Sequence, residues 1–183
     1  MHTPDDFQTS PPSARIHGGF TLIELMVTLS IAVIMLTIAI PNFRDFLLNS
    51  RLTAQTNELV LALTYAKSEA IKRNVRVAVC SRSTDTACSG NTTWDNGWLV
   101  FVDNNGNGTV DGADQILKVR APLDGGNTLR AGRDRVAFQN SGFSPGFNDT
   151  LNLCDSRGAA DGRQIVVSPQ GRVASQTGAV ACP

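Results

Sequence analysis

Histidine is scarce in this sequence of 183 residues, and both copies, His2 and His17, lie near its start. If the first 19 residues are removed as a leader, no histidine remains. Catalytic triads and dyads with an imidazole base are then excluded, and the commonest zinc ligand is missing. Glutamate is nearly absent as well, since only Glu58 and Glu69 follow Glu24. The composition therefore predicts a protein that is not an enzyme.

An excess of charge of either sign is also lacking. The chain has 16 lysines and arginines against 16 aspartates and glutamates. Such a balance gives no electrostatic reason to expect binding to nucleic acid or to an anionic membrane surface.

The cysteines form no C-x-x-C pair, and their spacing does not fit a zinc ribbon. All four follow residue 79, at Cys80, Cys88, Cys154 and Cys182. Two disulfides in an oxidising compartment are expected, and three pairings are possible. Proximity in sequence favours Cys80–Cys88 and Cys154–Cys182. The alternative is buried free thiols in a cytosolic protein, which an upstream export segment argues against.

One long apolar run is present, at residues 20–40. Its 21 residues contain a single charge, Glu24. As a helix, the run would be about 31 Å long and could cross a bilayer. It differs from a cleaved secretory signal, because its small residues, Gly18 and Gly19, come before the apolar run. The alternative interpretation is a plain single-span anchor that tolerates Glu24 near the membrane interface.

The motif G-F-T-L-I-E-L-M-V at residues 19–27, with Pro41 after the apolar run, resembles the N-terminus of type IV pilins and type II secretion pseudopilins. The resemblance implies that a prepilin peptidase cleaves between Gly19 and Phe20 and methylates the new Phe20 amine. It implies a single pass through the bacterial inner membrane, a periplasmic head, and later assembly with other pilins into a pilus or pseudopilus. The assembly residues would be Glu24 and Pro41, with Glu24 paired to the Phe20 ammonium of a neighbouring subunit.

Pro41 should kink the helix. Beyond it, apolar residues recur at helical spacing up to a C-cap at Asn74, and polar residues such as Gln55 lie elsewhere around the helix. The apolar residues are Leu52, Leu59, Leu63, Ala66 and Ala70. From residue 75 the period changes to two, which indicates β-strands. The chain therefore divides into a leader (1–19), an apolar helix (20–40), an amphipathic helix (41–74) and a head (75–183). The expected fold is α+β, with one long N-terminal helix packed on a mainly antiparallel head. Strands are expected at 75–80, 98–102, 115–120, 135–138, 151–154, 164–167 and 172–174.

Two segments, 61–77 at the end of the amphipathic helix and 94–103 in the head, resemble the GspH/FimT family of minor pilins and pseudopilins, and G-R-V at 171–173 also fits. The resemblance implies a type IV pilin-like fold. It also implies a structural subunit at or near the tip of a type IV pilus or a type II secretion pseudopilus. The alternative function is a DNA-binding minor pilin that serves DNA uptake in natural transformation.

Residues 103–114, D-N-N-G-N-G-T-V-D-G-A-D, have the spacing of a 12-residue calcium loop, with Gly108 at the sharp turn. Position 12 is an aspartate in place of the longer glutamate. The alternative is a metal-free connection between two strands, built on two Asn-Gly steps. The predicted calcium ligands are Asp103, Asn105, Asn107, Asp111 and Asp114 through side-chain oxygens, and Thr109 through its carbonyl oxygen.

The C-terminal part of the chain carries the candidate DNA-binding residues Arg157, Arg163 and Arg172. Some FimT-type proteins bind DNA through a G-R-x-R motif, but here Ala174 replaces its second arginine. Six arginines and five aspartates follow residue 120, which is a weak electrostatic footprint for DNA. Surface arginines on a hairpin are the alternative interpretation.

Overall fold

A single helix dominates the N-terminal part of the chain. The computed structural model describes residues 19–182. The chain separates into two compact units, one ending at Phe43 and the other beginning at Arg44, and helix α1 (Leu22–Arg73) contributes to both. The helix ends where expected, because Asn74 has a φ of 57° and Val75 donates its N–H to the carbonyl of Ala70 at 3.2 Å. A left-handed residue just after the last turn is a common helix terminator.

Nine strands follow in the second unit, together with two short 3₁₀ helices at Asp124–Gly126 and Ala159–Asp161. Two of these strands, Ala87–Cys88 and Thr128–Ala131, were not expected from the sequence. The first strand begins two residues later than expected, because residues 75 and 76 follow the helix cap at Asn74 outside the sheet. The strands are β1 (Val77–Thr84), β2 (Ala87–Cys88), β3 (Trp98–Val102), β4 (Gln115–Arg120), β5 (Thr128–Ala131), β6 (Arg135–Phe138), β7 (Thr150–Cys154), β8 (Arg163–Val167) and β9 (Val173–Thr177).

The strands form two antiparallel sheets. In the first sheet β1 lies between β6 and β3, β4 is next to β3, and the short β2 pairs with the far end of β1. The second sheet has the order β5-β7-β8-β9. All pairs in both sheets are antiparallel, so the α+β architecture with an antiparallel head is confirmed.

The C-terminal part of α1 supplies one side of the core. Its buried apolar residues include the five that the helical spacing predicted, and Ala62 is buried with them: Leu52, Leu59, Ala62, Leu63, Ala66 and Ala70. They pack in one cluster with side chains from both sheets. Each fully buried leucine is worth roughly 1.5–3 kcal/mol, so this stripe is the main attachment of the helix to the sheets.

The far face of the first sheet is covered by loops. Leu99 and Phe101 of β3 point to this face, where Val110 and Phe147 pack against them. Every residue of β3 is consequently buried. Both disulfides favoured by sequence proximity are present: Cys80–Cys88 joins β1 to β2, and Cys154–Cys182 joins β7 to the C-terminal segment.

Candidate functional site

The N-terminal assembly residues lie at the start of α1. Thr21 caps the helix, since its Oγ1 accepts the N–H of Glu24 at 3.2 Å. The carboxylate of Glu24 lies in the first helical turn, where the helix dipole favours a negative charge. The side chain of Phe20 is 83% exposed. Residues 1–18 of the predicted leader lie outside the described residues. Cleavage between Gly19 and Phe20 stays a prediction.

The apolar half of α1 is not covered by the rest of the chain. Its most apolar 18-residue window has a mean hydropathy of 2.4 and no buried residue. Leu22 and Ile40, near the ends of this segment, are 79% and 64% exposed. By length and composition the segment can cross a membrane. A contiguous apolar surface of this size needs a lipid or protein partner.

Pro41 lies inside α1, and the helix continues through it. The side chain of the next residue, Asn42, donates a 2.8 Å hydrogen bond to the carbonyl of Ile38. The carbonyl that loses its helical donor to Pro41 is that of Thr37, four residues earlier, so the Asn42 bond adds a donor to the neighbouring carbonyl and does not replace the missing one. The predicted kink stays a prediction.

The 103–114 loop connects β3 to β4, and hydrogen bonds draw its polar side chains together. The Nδ2 groups of Asn105 and Asn107 both donate to Oδ2 of Asp111, at 2.7 and 3.0 Å. One Asp114 oxygen accepts the N–H of Asn104 at 3.0 Å, and the other accepts the N–H of Asp111 at 3.2 Å. Thr109 joins them, because its N–H donates to Oδ1 of Asn107 at 2.8 Å. Five of the six predicted calcium-binding residues therefore lie in one network.

The Asp111 carboxylate is strongly hydrogen-bonded within this network. The N–H of Ala113 is the largest influence and, with the amides of Asn105 and Asn107, holds the pKa of Asp111 below its usual value. No group of three or more His, Cys, Asp or Glu residues within 19–182 is arranged to hold a metal ion. Any cation site in this loop must therefore rely on amide and carbonyl oxygens as well as carboxylates.

The first residue of the loop, Asp103, differs from the others because it is buried. It is only 2% exposed, and neither of its carboxylate oxygens has a hydrogen-bond partner among the described residues. Its N–H donates to the carbonyl of Arg76 at 3.0 Å. A buried carboxylate without a donor or a cation is costly.

The three candidate DNA-binding arginines do not form one free basic surface. Arg157 forms an ion pair with Asp155, at 2.7 Å, and a longer one with Asp161. Arg163 donates to the backbone carbonyl of Asp161 at 2.7 Å. Arg172 is exposed and has no ion pair within the part of the chain that the structure describes.

The Asp155–Arg157 pair shifts the pKa values of both groups. Burial is the largest influence on Asp155 and favours its neutral form, but the hydrogen bonds and charge of Arg157 outweigh it and lower the pKa. The hydrogen bond that Arg157 donates to Asp155 is the largest influence on Arg157 and raises its pKa. Arg157 also donates to Asn49 of α1 at 3.0 Å, so this pair connects the second sheet to the helix.

Asp149 is a polar residue that no sequence pattern marked as a candidate for a functional or structural role. Its carboxylate accepts the N–H groups of Gly132, Arg133 and Thr150 at 2.7–3.0 Å, and it lines a shallow groove on the second sheet. Burial, the largest influence, raises the pKa of Asp149 despite these bonds. The residue fixes the turn before β6 to the start of β7. Two of its three partners, Gly132 and Arg133, lie 16–17 residues earlier in the sequence, so no local motif marks Asp149.

Comparison with known proteins gives two family matches. The family model described as type II transport protein GspH matches residues 55–171. The prokaryotic N-terminal methylation motif matches residues 15–40. No curated protein matches the chain.

The fold is similar to that of the type IV minor pilin FimU from Pseudomonas aeruginosa, solved in two crystal forms. The two structures have TM-scores of 0.58 and 0.55, and both are 19% identical in sequence. They cover 72% and 68% of this chain, and the matches take in 92% of each FimU chain. At this identity the similarity shows the fold, which is that of a type IV pilin.

Proposed function

The chain belongs to the GspH family of type II transport proteins, and we propose from that membership that it is a structural minor pilin or pseudopilin. In this proposal a prepilin peptidase cleaves after Gly19 and methylates Phe20. The protein then waits in the inner membrane, with its head in the periplasm. It finally enters a filament together with other pilins, at or near the tip.

The observation that carries the proposal is the uncovered apolar half of α1 with its one carboxylate. None of its most apolar window is buried. Lipid can cover this surface before assembly, and neighbouring helices can cover it afterwards. The same segment thus serves both as an anchor and as the part of the subunit that enters the filament core.

Glu24 supports the assembly step in particular. A charge inside an apolar environment is expensive unless it is paired. Cleavage after Gly19 would create an ammonium group on Phe20, and the Phe20 of a neighbouring subunit can bring this cation to Glu24. In a medium of low dielectric constant the attraction is strong, and it would set the axial register of the subunit.

The proposal has two more specific parts, which are the system that uses the subunit, a type IV pilus or a type II secretion system, and the position of the subunit in the filament. The family description refers to type II transport, whereas the similar solved structures are type IV minor pilins. Both machines would use the helix in the same way. Co-purification of the chain with the other minor pilins or pseudopilins of the cell would identify the machine, and labelling of the head on isolated filaments would test the position at the tip.

Substitution of Glu24 tests the assembly mechanism. Glu24→Gln keeps the size and polarity of the side chain but removes its charge. We expect normal recovery in the inner membrane and a fall of at least about tenfold in the filament fraction, equivalent to a loss of about 1.4 kcal/mol or more. Thr28→Val, on the same segment, is the matched control and should assemble normally. Normal assembly of Glu24→Gln would contradict the proposed ion pair.

The DNA-uptake alternative has less support from the geometry. Arg157 pairs with acidic side chains and Arg163 donates to backbone carbonyls, so Arg172 is the one candidate of the three whose guanidinium has no such contact in the part of the chain that the structure describes. Non-specific DNA affinity needs several phosphate contacts. The structural role therefore accounts for the arginines better.

A further inference from the structure

Four side chains of the 103–114 loop converge at positions where a calcium loop has its ligands. Asn105, Asn107, Asp111 and Asp114 occupy positions 3, 5, 9 and 12. The amides of Asn105 and Asn107 reach the same oxygen of Asp111. Loop-internal hydrogen bonds alone do not make a cation site, because a metal-free turn can form them too.

The buried carboxylate of Asp103, at position 1, is the second and independent observation. Leu99 and Phe101 alternate along β3 on the face where Val110 packs, and Asp103 continues this alternation. Since Val110 belongs to the loop, Asp103 lies beneath the loop and faces it. Its two oxygens have no partner among the described residues, so the loop covers a negative charge that the protein does not neutralise.

Two arginines lie nearby and serve other groups. Arg76 donates to the carbonyl of Gly106 at 3.1 Å, and Arg135 pairs with Asp134 at 2.9 Å. Both guanidinium groups also lie over the ring of Phe147, 5.3 and 5.1 Å from its centre. Neither forms an ion pair with Asp103 in the part of the chain that the structure describes.

We infer that the 103–114 loop binds one calcium ion, which neutralises Asp103. Calcium takes six to eight oxygen ligands from carboxylates, amide oxygens and backbone carbonyls. The loop supplies these types in the required order: Asp103, Asn105, Asn107, the carbonyl of Thr109, Asp111 and Asp114.

The two asparagine amides must rotate to serve as ligands. Their Nδ2 groups donate to Asp111, and their oxygens accept the N–H groups of Asn107 and Thr109. When calcium binds, Asn105 and Asn107 turn their amide oxygens toward the ion. Within residues 19–182 the carboxylates are not gathered into a cluster of three, so binding must also draw the loop carboxylates together.

The ion should be bound weakly, because Asp114 is shorter than the bidentate glutamate of an EF-hand. A dissociation constant on the order of 10⁻⁴–10⁻³ M, as in extracellular calcium modules, is expected. Bound calcium would connect the end of β3 to the start of β4. Magnesium should bind less well, because it demands a smaller octahedral site.

Calorimetry and thermal unfolding of the full chain in detergent micelles test the site. At about 10 mM calcium we expect a heat of binding and a rise of roughly 5 °C or more in Tm, with a much smaller rise in magnesium. Absence of both effects would overturn the inference. An equal effect of magnesium would show a general response to divalent ions and would also overturn it.

Asp103→Asn distinguishes a ligand from a structural carboxylate. If Asp103 is a calcium ligand, the variant loses the calcium-dependent rise in Tm. Without calcium it should be at least as stable as the parent protein, since it removes an unpaired buried charge. Asp111→Asn should weaken calcium binding, with a shift of about tenfold or more in the dissociation constant, because the number of charged ligands sets the affinity of such a loop. Asp124→Asn, whose side chain is 80% exposed, is the control and should keep the full calcium response. A full calcium response in both loop variants would refute the site.

Discussion

Lys67 on α1 donates a hydrogen bond of 2.9 Å from its Nζ to the carbonyl oxygen of Gly171, which lies 104 residues later in the chain. Gly171 belongs to the turn between β8 and β9, where its N–H donates to Ser168 at 2.8 Å. The contact therefore connects the helix to the last hairpin of the second sheet. Both residues lie in the segments that resemble the GspH/FimT family, and the structure gives those segments a role in holding the head together.

Gly171→Ala should destabilise the protein. Gly171 has a φ of 71°, which disfavours other residues, and an added Cβ would overlap the carbonyl oxygen of Gly142. Backbone strain and overpacking together should lower the free energy of unfolding by about 3 kcal/mol. Urea unfolding of the full chain in detergent micelles measures this loss.

Gly146→Ala is the matched control for that substitution. Gly146 has a φ of 74°, but an added Cβ would meet no atom within 4 Å. It should lose only the strain contribution, about 1–2 kcal/mol. Equal losses in the two variants would contradict the proposed close approach of Gly171 to Gly142.

The two disulfides should differ in their contribution to stability. Cys154–Cys182 closes a span of 28 residues, whereas Cys80–Cys88 closes only 8. On the loop-entropy account, replacing both cysteines of a pair by alanine should cost about 3.6 kcal/mol for the long span and about 2.5 kcal/mol for the short one. Chemical unfolding of the two double variants would measure the difference. A larger loss for the short span would contradict the entropic explanation.

Most of the helix and of the strands could be predicted because the signals are local. The helical spacing of Leu52, Leu59 and Leu63 predicted the buried stripe, and the left-handed residue at Asn74 ended the helix. Strand β2 is two residues long and lies beside one end of β1, so no period is visible in its sequence. Strand β5 is only four residues long and follows directly on a 3₁₀ turn.

The polar contacts between distant segments could not be predicted in the same way. Gln55 was expected on the polar side of the helix, but it is 4% exposed and accepts a 2.7 Å hydrogen bond from Asn127. Likewise, the pattern of the 103–114 loop identified its oxygen donors but not the burial of Asp103. Such features depend on which segments the fold brings together, and that information is not local.

The stability of the head should depend on pH through Asp155. Its pKa is lowered in the folded protein, so its contribution is present above the unfolded pKa of about 3.9 and is lost as the pH falls through the lower folded value. Asp155→Asn should therefore be less stable by about 1–3 kcal/mol near pH 7, and the difference should shrink toward about pH 3. Urea unfolding at several pH values measures this change. Asp124→Asn, with its exposed side chain, should show no such dependence.

Asp149 has the opposite effect to Asp155 on the pH dependence of stability. Its pKa is raised by burial, so the folded state favours its protonated form. As the pH falls through this raised value toward the unfolded one, protonation of Asp149 adds stability and partly offsets the loss from Asp155. The free energies of unfolding of Asp155→Asn and the parent protein should approach each other as the pH falls. If they did not, the loss of stability in acid could not be assigned to Asp155.

Substitution of Arg157 and of Arg172 should distinguish a structural role of the arginines from a DNA-binding role. Arg157→Ala leaves the nearly inaccessible Asp155 carboxylate without its cation and should lower the free energy of unfolding by about 2–4 kcal/mol. Arg172→Ala removes an exposed charge and should change stability by less than about 0.5 kcal/mol. In gel shifts at several salt concentrations, Arg172→Ala should change the affinity for duplex DNA by no more than about twofold, since one phosphate contact contributes little to non-specific binding. A loss of DNA binding much larger than this, with the fold intact, would favour the DNA-uptake function over the purely structural one.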